Sequence, residues 1–300
     1  MKEIVIISGK GGVGKSAITA ALGCILAEKH RVLLTDTDVD APNLHLVLGA
    51  RLRDSLEISA SEKACIDYDR CSGCLTCFDI CRFAAIIAAD EPIIVPYACE
   101  GCGACVIGCP EGAIAIRPVV NGRLNIMAAG NLPVVAGELS IGASSSGRLV
   151  DLVKRRARQE AAAGRAEILL TDGPPGIGCP VIAALKGADY TLVITEPSNA
   201  ALHDMQRVME VAEHFRVPVG IVINKADIHE QSRAAIHAFA AKSDVPILAE
   251  IPYDNSVPIA IANAQPVVAA FPDAPASLQI NKLAQSLMDA INNRPSTTTT

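Results

Sequence analysis

Gly9-Lys10-Gly11-Gly12-Val13-Gly14-Lys15-Ser16 is the stretch on which the reading of this chain turns. It follows a short aliphatic run, Ile4–Ser8, and opens an amphipathic one, Lys15–Lys29, so a strand passes into a helix through a glycine-rich loop. Glycines let the backbone curl until successive N–H groups and the helix N-terminus face an anionic phosphate. In a loop of this kind Gly11, Gly12, Val13 and Gly14 form the cradle. Lys15 contacts the β- and γ-phosphates, and Ser16 places its hydroxyl on Mg2+.

Outward from this loop, further aliphatic runs at Val32–Thr35, Ile168–Thr171, Thr191–Thr195, Val219–Ile223 and Ile247–Ile251 read as strands. Helical patterns lie between them at Arg148–Ala163, Ala201–Phe215 and Ser232–Ala241, and a last one runs through Leu278, Leu283, Leu287 and Ile291. That alternation predicts an α/β fold with a doubly wound, mostly parallel sheet. Composition agrees: half of the residues are hydrophobic, yet aromatics make up only 3% and tryptophan is absent. Aliphatic layers of a sheet packed by helices have that signature. A formal charge of −6 gives no general attraction to nucleic acid. The four apolar residues before Ser8 are too few for a secretory segment, and no run approaches the ~18 apolar residues of a membrane span. The expectation is a cytoplasmic chain with no membrane insertion, in which cysteines are metal ligands sooner than disulfides.

The strand–helix rhythm breaks at residues 61–118, which carry eight of the eleven cysteines in an internal repeat. Cys71, Cys74, Cys77 and Cys81 recur 28 residues later as Cys99, Cys102, Cys105 and Cys109. Each half has the spacing C-x2-C-x2-C-x3-C of a two-cluster bacterial ferredoxin, where the fourth cysteine of one half serves the cluster of the other. One [4Fe–4S] cluster would then use Cys71, Cys74, Cys77 and Cys109, the second Cys81, Cys99, Cys102 and Cys105. Pro110 follows the last cysteine as that pattern expects, whereas Arg82 stands in proline's place after Cys81. The insert also holds eight acids and four bases, −4 of the net −6. This is an acidic face suited to a basic redox partner.

The second lysine early in the loop, Lys10, makes the segment resemble the deviant Walker A motif of the MinD/ParA-type P-loop ATPases. Two other motifs extend the resemblance. Thr35-Asp36-Thr37-Asp38-Val39-Asp40-Ala41-Pro42-Asn43-Leu44 is similar to that family's second acidic motif, and Ile168-Leu169-Leu170-Thr171-Asp172-Gly173-Pro174-Pro175-Gly176 to its Walker B strand. The resemblance implies that Lys10 reaches across a nucleotide-sandwich dimer, that Asp38 orients the attacking water, and that Asp36 and Asp172 lie at Mg2+. Asn224-Lys225-Ala226-Asp227 spells a guanine-reading pattern. In MinD-like ATPases the asparagine there contacts adenine, and a segment like Pro252-Tyr253-Asp254 covers the base. ATP is therefore favoured, with GTP as the alternative. Lys15 and Asp172 are 157 positions apart, of which 58 belong to the insert; what is left is a normal spacing for the family.

The whole pattern is similar to MinD-superfamily ATPases with an inserted ferredoxin domain, related to Mrp-type carrier ATPases and the nitrogenase iron protein. It divides the chain into ATPase parts at 1–60 and 119–293, the insert at 61–118, and a disordered tail at 294–300. The resemblance implies a homodimer, or a heterodimer with a related ATPase, whose MgATP-driven switching gates electron transfer to a protein partner. Iron–sulfur or metallocofactor assembly is the alternative, although the cysteine pair of the carriers near the C-terminus is missing. A positioning ATPase is less favoured.

Three cysteines remain outside the repeat. Cys24 reads as helix packing and Cys65 as incidental. Cys179, seven residues after Asp172, is either packing or a ligand to a cluster shared between subunits, as in the nitrogenase iron protein. Lys154-Arg155-Arg156-Ala157-Arg158, the one basic run, reads as a solvated helix face.

Overall fold

The computed structural model describes residues 1–143 and 147–292; the tail expected at 294–300 lies outside them. The N-terminal part of the body contains β1 (Lys2–Ser8), α1 (Lys15–Ala27), β2 (Val32–Asp36), α2 (Leu44–Leu48) and β3 (Arg51–Ile58). A smaller unit follows: β4 (Ser61–Ile66), α3 (Thr76–Ile80), β5 (Ile86–Ile87), β6 (Ile93–Ile94), α4 (Ala104–Gly108) and β7 (Ile114–Val119). The chain then rejoins the body through β8 (Gly122–Ala129), β9 (Leu132–Leu139), α5 (Gly147–Ala163), β10 (Ile168–Pro175), α6 (Cys179–Leu185) and β11 (Tyr190–Thr195). It closes with α7 (Asn199–His214), β12 (Val219–Asn224), α8 (Glu230–Lys242), β13 (Ile247–Ile251), α9 (Ser256–Ala262), α10 (Val267–Ala270) and α11 (Pro275–Asn292).

The body sheet has the order β13-β12-β11-β1-β10-β2-β9-β8-β3 and is parallel from β13 to β9. Successive side chains of a strand point to opposite faces, so an aliphatic run buried on both sides feeds two cores. Ile4 and Ile6 join α1 and α11 through Ile18, Leu22, Leu283 and Leu287. Val5 and Ile7 join α5, α7 and α8 through Leu149, Val153, Val208 and Ile236. The register sets Asp172 beside Asp36 at the carboxyl ends of β10 and β2, where the loops after β1 and β12 also emerge. An open parallel sheet holds its ligands at those ends.

Two features depart from the sequence-based expectation. The sheet does not end at its parallel strands: β9, β8 and β3 form an antiparallel edge. β3 is exposed along almost its whole length and carries Arg51, Arg53, Asp54 and Glu57. Charges there blunt an open strand edge, and they erase the apolar signal by which a strand is recognised. The basic run is the second. Ala157 is fully buried and Lys154 is only 2% exposed, because it shares the inward face of α5 with Val150 and Val153. Its ammonium lies 2.7 Å from the Glu3 carboxylate and donates to the carbonyls of Ala184 and Lys186 at the end of α6. Arg158 holds the other Glu3 oxygen at 2.8 Å. Arg155 is exposed, and Arg156 and Arg158 remain partly at the surface. The run is therefore not simply a solvated face: Lys154, with Arg158 beside it, ties α5 to β1 and α6 through the buried Glu3.

Residues 61–119 have their own small core of Ala64, Cys77, Ala85, Ile86, Cys99, Cys105 and Ile114. The 28-residue repeat is visible in the backbone. Gly73 and Gly101, Leu75 and Gly103, and Ala84 and Gly112 all take left-handed φ at matching positions. Asn121 seals the junction with the body: its side-chain oxygen accepts from the Ala60 N–H, and its own N–H donates to Ile58.

Candidate functional site

Gly12 and Gly14 turn the loop with φ of 80° and 91°, and α1 begins at Lys15 with no side-chain cap and no acidic residue in its first turn. Its first N–H groups and the positive end of its dipole are therefore available to an anion. Gly9 passes so close to the Asp204 backbone of α7 that any Cβ would collide with it. The Asn224 side-chain amide donates to the Val13 carbonyl at 2.7 Å and pins the loop to the end of β12.

Lys15 is buried and points back at the carboxylates, 3.1 Å from Asp172 Oδ1 and 3.7 Å from Asp38 Oδ2. Thr19, one turn further along α1, donates to the same Asp172 oxygen at 3.1 Å. Asp36 accepts from the N–H groups of Asp38 and Leu44, both at 3.0 Å. Burial opposes protonation of Lys15, yet the Asp172, Asp38 and Asp36 charges outweigh it and hold the ammonium above its usual value. Burial, with Asp172 alongside, keeps the Asp36 carboxyl well above the carboxylate range. Burial also pushes Asp38 up to about 6, against Lys15 and with the help of Asp172 and Asp40. Three carboxylates thus face one ammonium, and the buried Oδ2 of Asp172 has no hydrogen-bond partner. A hard dication with oxygen ligands suits that deficit. Ser16 is half-buried in the first turn of α1, next to Lys15.

Lys10, Glu196 and Lys225 form a second charged group. Glu196, just beyond β11, takes Lys10 at 2.7 Å on one carboxylate oxygen and Lys225 at 2.9 Å on the other, and Lys225 also reaches the Gly12 carbonyl at 3.3 Å. An apolar pocket opens beside the loop between Gly14, Ile18, Asn224, Pro252, Tyr253 and Val257. Asn224 and Pro252 line it. Asp227 does not, because its carboxylate accepts from the Tyr253 N–H at 2.7 Å and so fixes the wall of the pocket. The sequence reading missed Thr19 and Glu196. Thr19 is visible in retrospect at i+4 from Lys15; Glu196 becomes a neighbour of the loop only once β11 is known to lie beside β1.

Residues 4–267 match the family model for the CobQ/CobB/MinD/ParA nucleotide-binding domain. The chain belongs to this family. Among its relatives, an uncharacterized protein of Methanocaldococcus jannaschii is 34% identical over 87% of this chain and 88% of its own length. An iron–sulfur cluster carrier protein of Pyrococcus horikoshii is 23% identical over 96% of this chain and 86% of its own length. The solved structure of the septum site-determining protein MinD with Mg-ADP from Pyrococcus horikoshii superposes with a TM-score of 0.61 at 21% identity. It covers 98% of this chain and 99% of that one, a likeness of fold.

Residues 61–119 carry their own arrangement of thiols. Cys71, Cys74, Cys77 and Cys109 line one cavity, with Ile66 and Ile114. Cys81, Cys99, Cys102 and Cys105 line another, with Ala64 and Ile116. Backbone N–H groups aim at three of the sulfurs: Ala85 at Cys81 (3.4 Å), Ala113 at Cys109 (3.3 Å), and both Ala64 and Gly101 at Cys99 (3.5 Å each). Among the described residues no group of three or more His, Cys, Asp or Glu side chains is drawn together closely enough to hold a metal ion. Insert and body touch beyond their junction, where the ring of Tyr97 lies over Gly142, in the segment after β9. The head of that segment bonds to the second acidic motif through Leu139 N–H and the Val39 carbonyl, 2.8 Å.

Outside the repeat, Cys24 is half-buried against the core and Cys65 is exposed on β4. Cys179 is exposed at the first residue of α6, with Gly147 packed against its backbone. Packing within the chain does not explain it, because the residue is exposed. Among the described residues no helix is long and apolar enough to cross a membrane.

Proposed function

We propose that this protein is a nucleotide-gated iron–sulfur ATPase, in which MgATP-driven dimer switching controls electron transfer through two [4Fe–4S] clusters to a protein partner. The observation that carries the reading is the shared segment Leu139–Gly142: it bonds to the acidic motif at Val39 and packs under Tyr97, two residues before Cys99. A shift of the acidic motif on nucleotide turnover reaches the cysteine insert through one short piece of backbone.

In this reading ATP lies along the loop with its base in the pocket of Asn224 and Pro252, and Lys15 leaves its carboxylates for the phosphates. Asp227 supports the wall behind the base, an arrangement that favours ATP over GTP. Ser16, Asp172 and Asp36 would hold Mg2+, which neutralises phosphate charge. Asp38 orients the attacking water, and Lys10 leaves Glu196 to reach a partner's nucleotide. The partner in the sandwich is a second copy or a related ATPase. In the insert, the two cysteine foursomes and the amides aimed at their sulfurs suit thiolate-held clusters. The acidic surface of the insert suits a basic redox protein, and higher salt weakens that docking. The chain works in the cytoplasm, away from nucleic acid and membrane.

The alternative, cluster assembly or carriage, is favoured by the cluster carrier among the relatives and by the exposed Cys74 and Cys102, one at the mouth of each cavity. One experiment separates the two. Anaerobically purified, dithionite-reduced protein is mixed with a viologen acceptor or with apo-ferredoxin, with and without MgATP. ATP-dependent oxidation with iron retained supports gating. Transfer of iron to the apo-ferredoxin supports carriage, and neither effect survives in Lys15→Ala if the nucleotide is in control. Cys179→Ser with unchanged iron content would remove a shared-cluster role for that residue.

A further inference from the structure

The two cysteine foursomes are related by the repeat but not by their surroundings. β4 and β7 run side by side from Ser61↔Val119 at the junction with the body to Ile66↔Ile114 at the far end. The foursome of Cys71, Cys74, Cys77 and Cys109 shares its cavity with Ile66 and Ile114 and is therefore distal. That of Cys81, Cys99, Cys102 and Cys105 shares its cavity with Ala64 and Ile116. Its Gly101 is pressed against the Glu62 backbone, and Tyr97 touches the body, so it is proximal.

Buried charge distinguishes them, and so does the hydrogen bonding at the first cysteine of each foursome's own repeat half, Cys99 and Cys71. Lys63 is buried, and its ammonium donates to the carbonyl of Cys99. The Cys99 sulfur accepts two N–H bonds, from Ala64 and Gly101. Among the described residues Cys71, its counterpart in the repeat, accepts none. Ala85→Cys81 and Ala113→Cys109 are repeat-related and cancel in the comparison. The distal foursome has polar contacts of its own: the Thr76 hydroxyl lies 3.3 Å from Cys74 Sγ, the Thr76 N–H and the Ser72 side chain also favour that thiolate, and the Phe78 N–H favours that of Cys77, but all of these donors are neutral. The other charges nearby are exposed: Glu100 lines the proximal cavity, Glu111 the distal one, and Arg70 reaches only the Glu111 carbonyl. Water and salt screen these, whereas a buried ammonium keeps its field. The deeper burial of Cys99 and Cys105 works the other way, against added negative charge. A full positive charge at the same peptide outweighs it.

Hydrogen bonds to cluster sulfurs and nearby positive charge both favour the more negative, reduced state of an iron–sulfur group and raise its potential. Resting on the proposed two-cluster reading, we propose that Lys63 and the amides of Ala64 and Gly101 make the proximal foursome the higher-potential site. An electron from a low-potential one-electron donor then comes to rest next to the nucleotide-binding body. The donor loses one electron and the proximal group gains it; when the distal group is reduced first, it is reoxidised as the electron moves inward.

The test is a dithionite redox titration of the eight-iron protein followed by EPR. Wild type gives two separate one-electron midpoints. Lys63→Met lowers the upper midpoint and narrows the gap, whereas Lys63→Arg, which keeps the charge, preserves it. A gap that Lys63→Met leaves unmoved overturns the proposal. If that variant loses iron, the ligand variants decide: Cys74→Ala retains the upper midpoint and Cys102→Ala the lower, and the reverse assignment overturns the proposal. A wild-type chain with no iron–sulfur signal overturns both this inference and the function it rests on. Eight irons with equal midpoints overturn this inference alone.

Discussion

The body and the insert solve the same stability problem with different materials. The body buries whole aliphatic strands on both faces, and residues such as Ile6, Leu34, Leu170 and Val193 are fully enclosed by helices. The insert has strands of two to six residues, helices of five, and a core in which three of the seven buried members are cysteines. Apolar burial contributes about 25 cal/mol per Å2, so the body has a large reserve and the insert little. The body should hold its shape without any bound group; on the proposed two-cluster reading, residues 61–119 depend on the clusters their thiols hold. Small units with scant cores commonly depend on a metal in this way.

On that reading, removing the iron breaks the comparison open most widely. Protein stripped of iron under reducing conditions should lose amide-exchange protection across residues 61–119 while keeping it in β1, β2, β10 and β11. Nucleotide binding should persist. Equal loss of protection in both regions would mean that the two are one cooperative unit.

Next in size is Lys15→Ala. Loss of the ammonium that offsets Asp172, Asp38 and Asp36, and that in the proposed reading reaches the phosphates, should lower ATP hydrolysis about 100-fold or more, measured as phosphate release. Iron content should be unchanged, because no cysteine of the insert touches this site. A parallel fall in iron would show that the nucleotide site supports the insert's fold.

Third comes Lys154→Met, which tests the ion-pair network under the body. Removing one partner of a buried pair costs about 3–5 kcal/mol when the other charge is left uncompensated. Arg158 still holds one Glu3 oxygen, which places the loss at the low end, about 3 kcal/mol. Arg155→Ala, at the exposed end of the same run, should change stability by less than about 0.5 kcal/mol. Urea unfolding followed by circular dichroism at 222 nm reads both, and equal effects would return the run to the surface.

How much of this was legible in the sequence depends on whether the signal was local. The loop Gly9–Ser16, the two acidic motifs and the cysteine repeat are contiguous patterns whose chemistry fixes their geometry, and the parallel strands announce themselves as aliphatic runs. The antiparallel edge was illegible because β3 is exposed and charged. Lys154 was misread because the four basic residues of the run look alike until the helix period puts Lys154, with Ala157, on the inner face. Glu196 and Tyr97 act through strand order and through a loop contact across 45 residues, and neither leaves a mark in the local sequence.

Glu196 also gives the smallest effect, and one with a definite sign in pH. Burial alone would raise its carboxyl, but the hydrogen bonds and charges of Lys10 and Lys225 outweigh it and hold the group below the usual glutamate range. A carboxyl depressed on folding contributes stability above its unfolded value, about 4.3. That contribution fades as pH falls through the lower folded value. Both lysines are partly exposed, so it is at most about 1 kcal/mol. In iron-free protein, where the body alone reports, Glu196→Gln should melt slightly below wild type at pH 6–7, and the two curves should converge below about pH 4. A difference that grows on acidification would give the latch the wrong sign. At neutral pH the same variant frees Lys10 and Lys225, and sedimentation with MgATP shows the consequence. A shift toward dimer identifies Glu196 as the group that holds the signature lysine at home in the monomer; a shift toward monomer makes it part of the dimer seam.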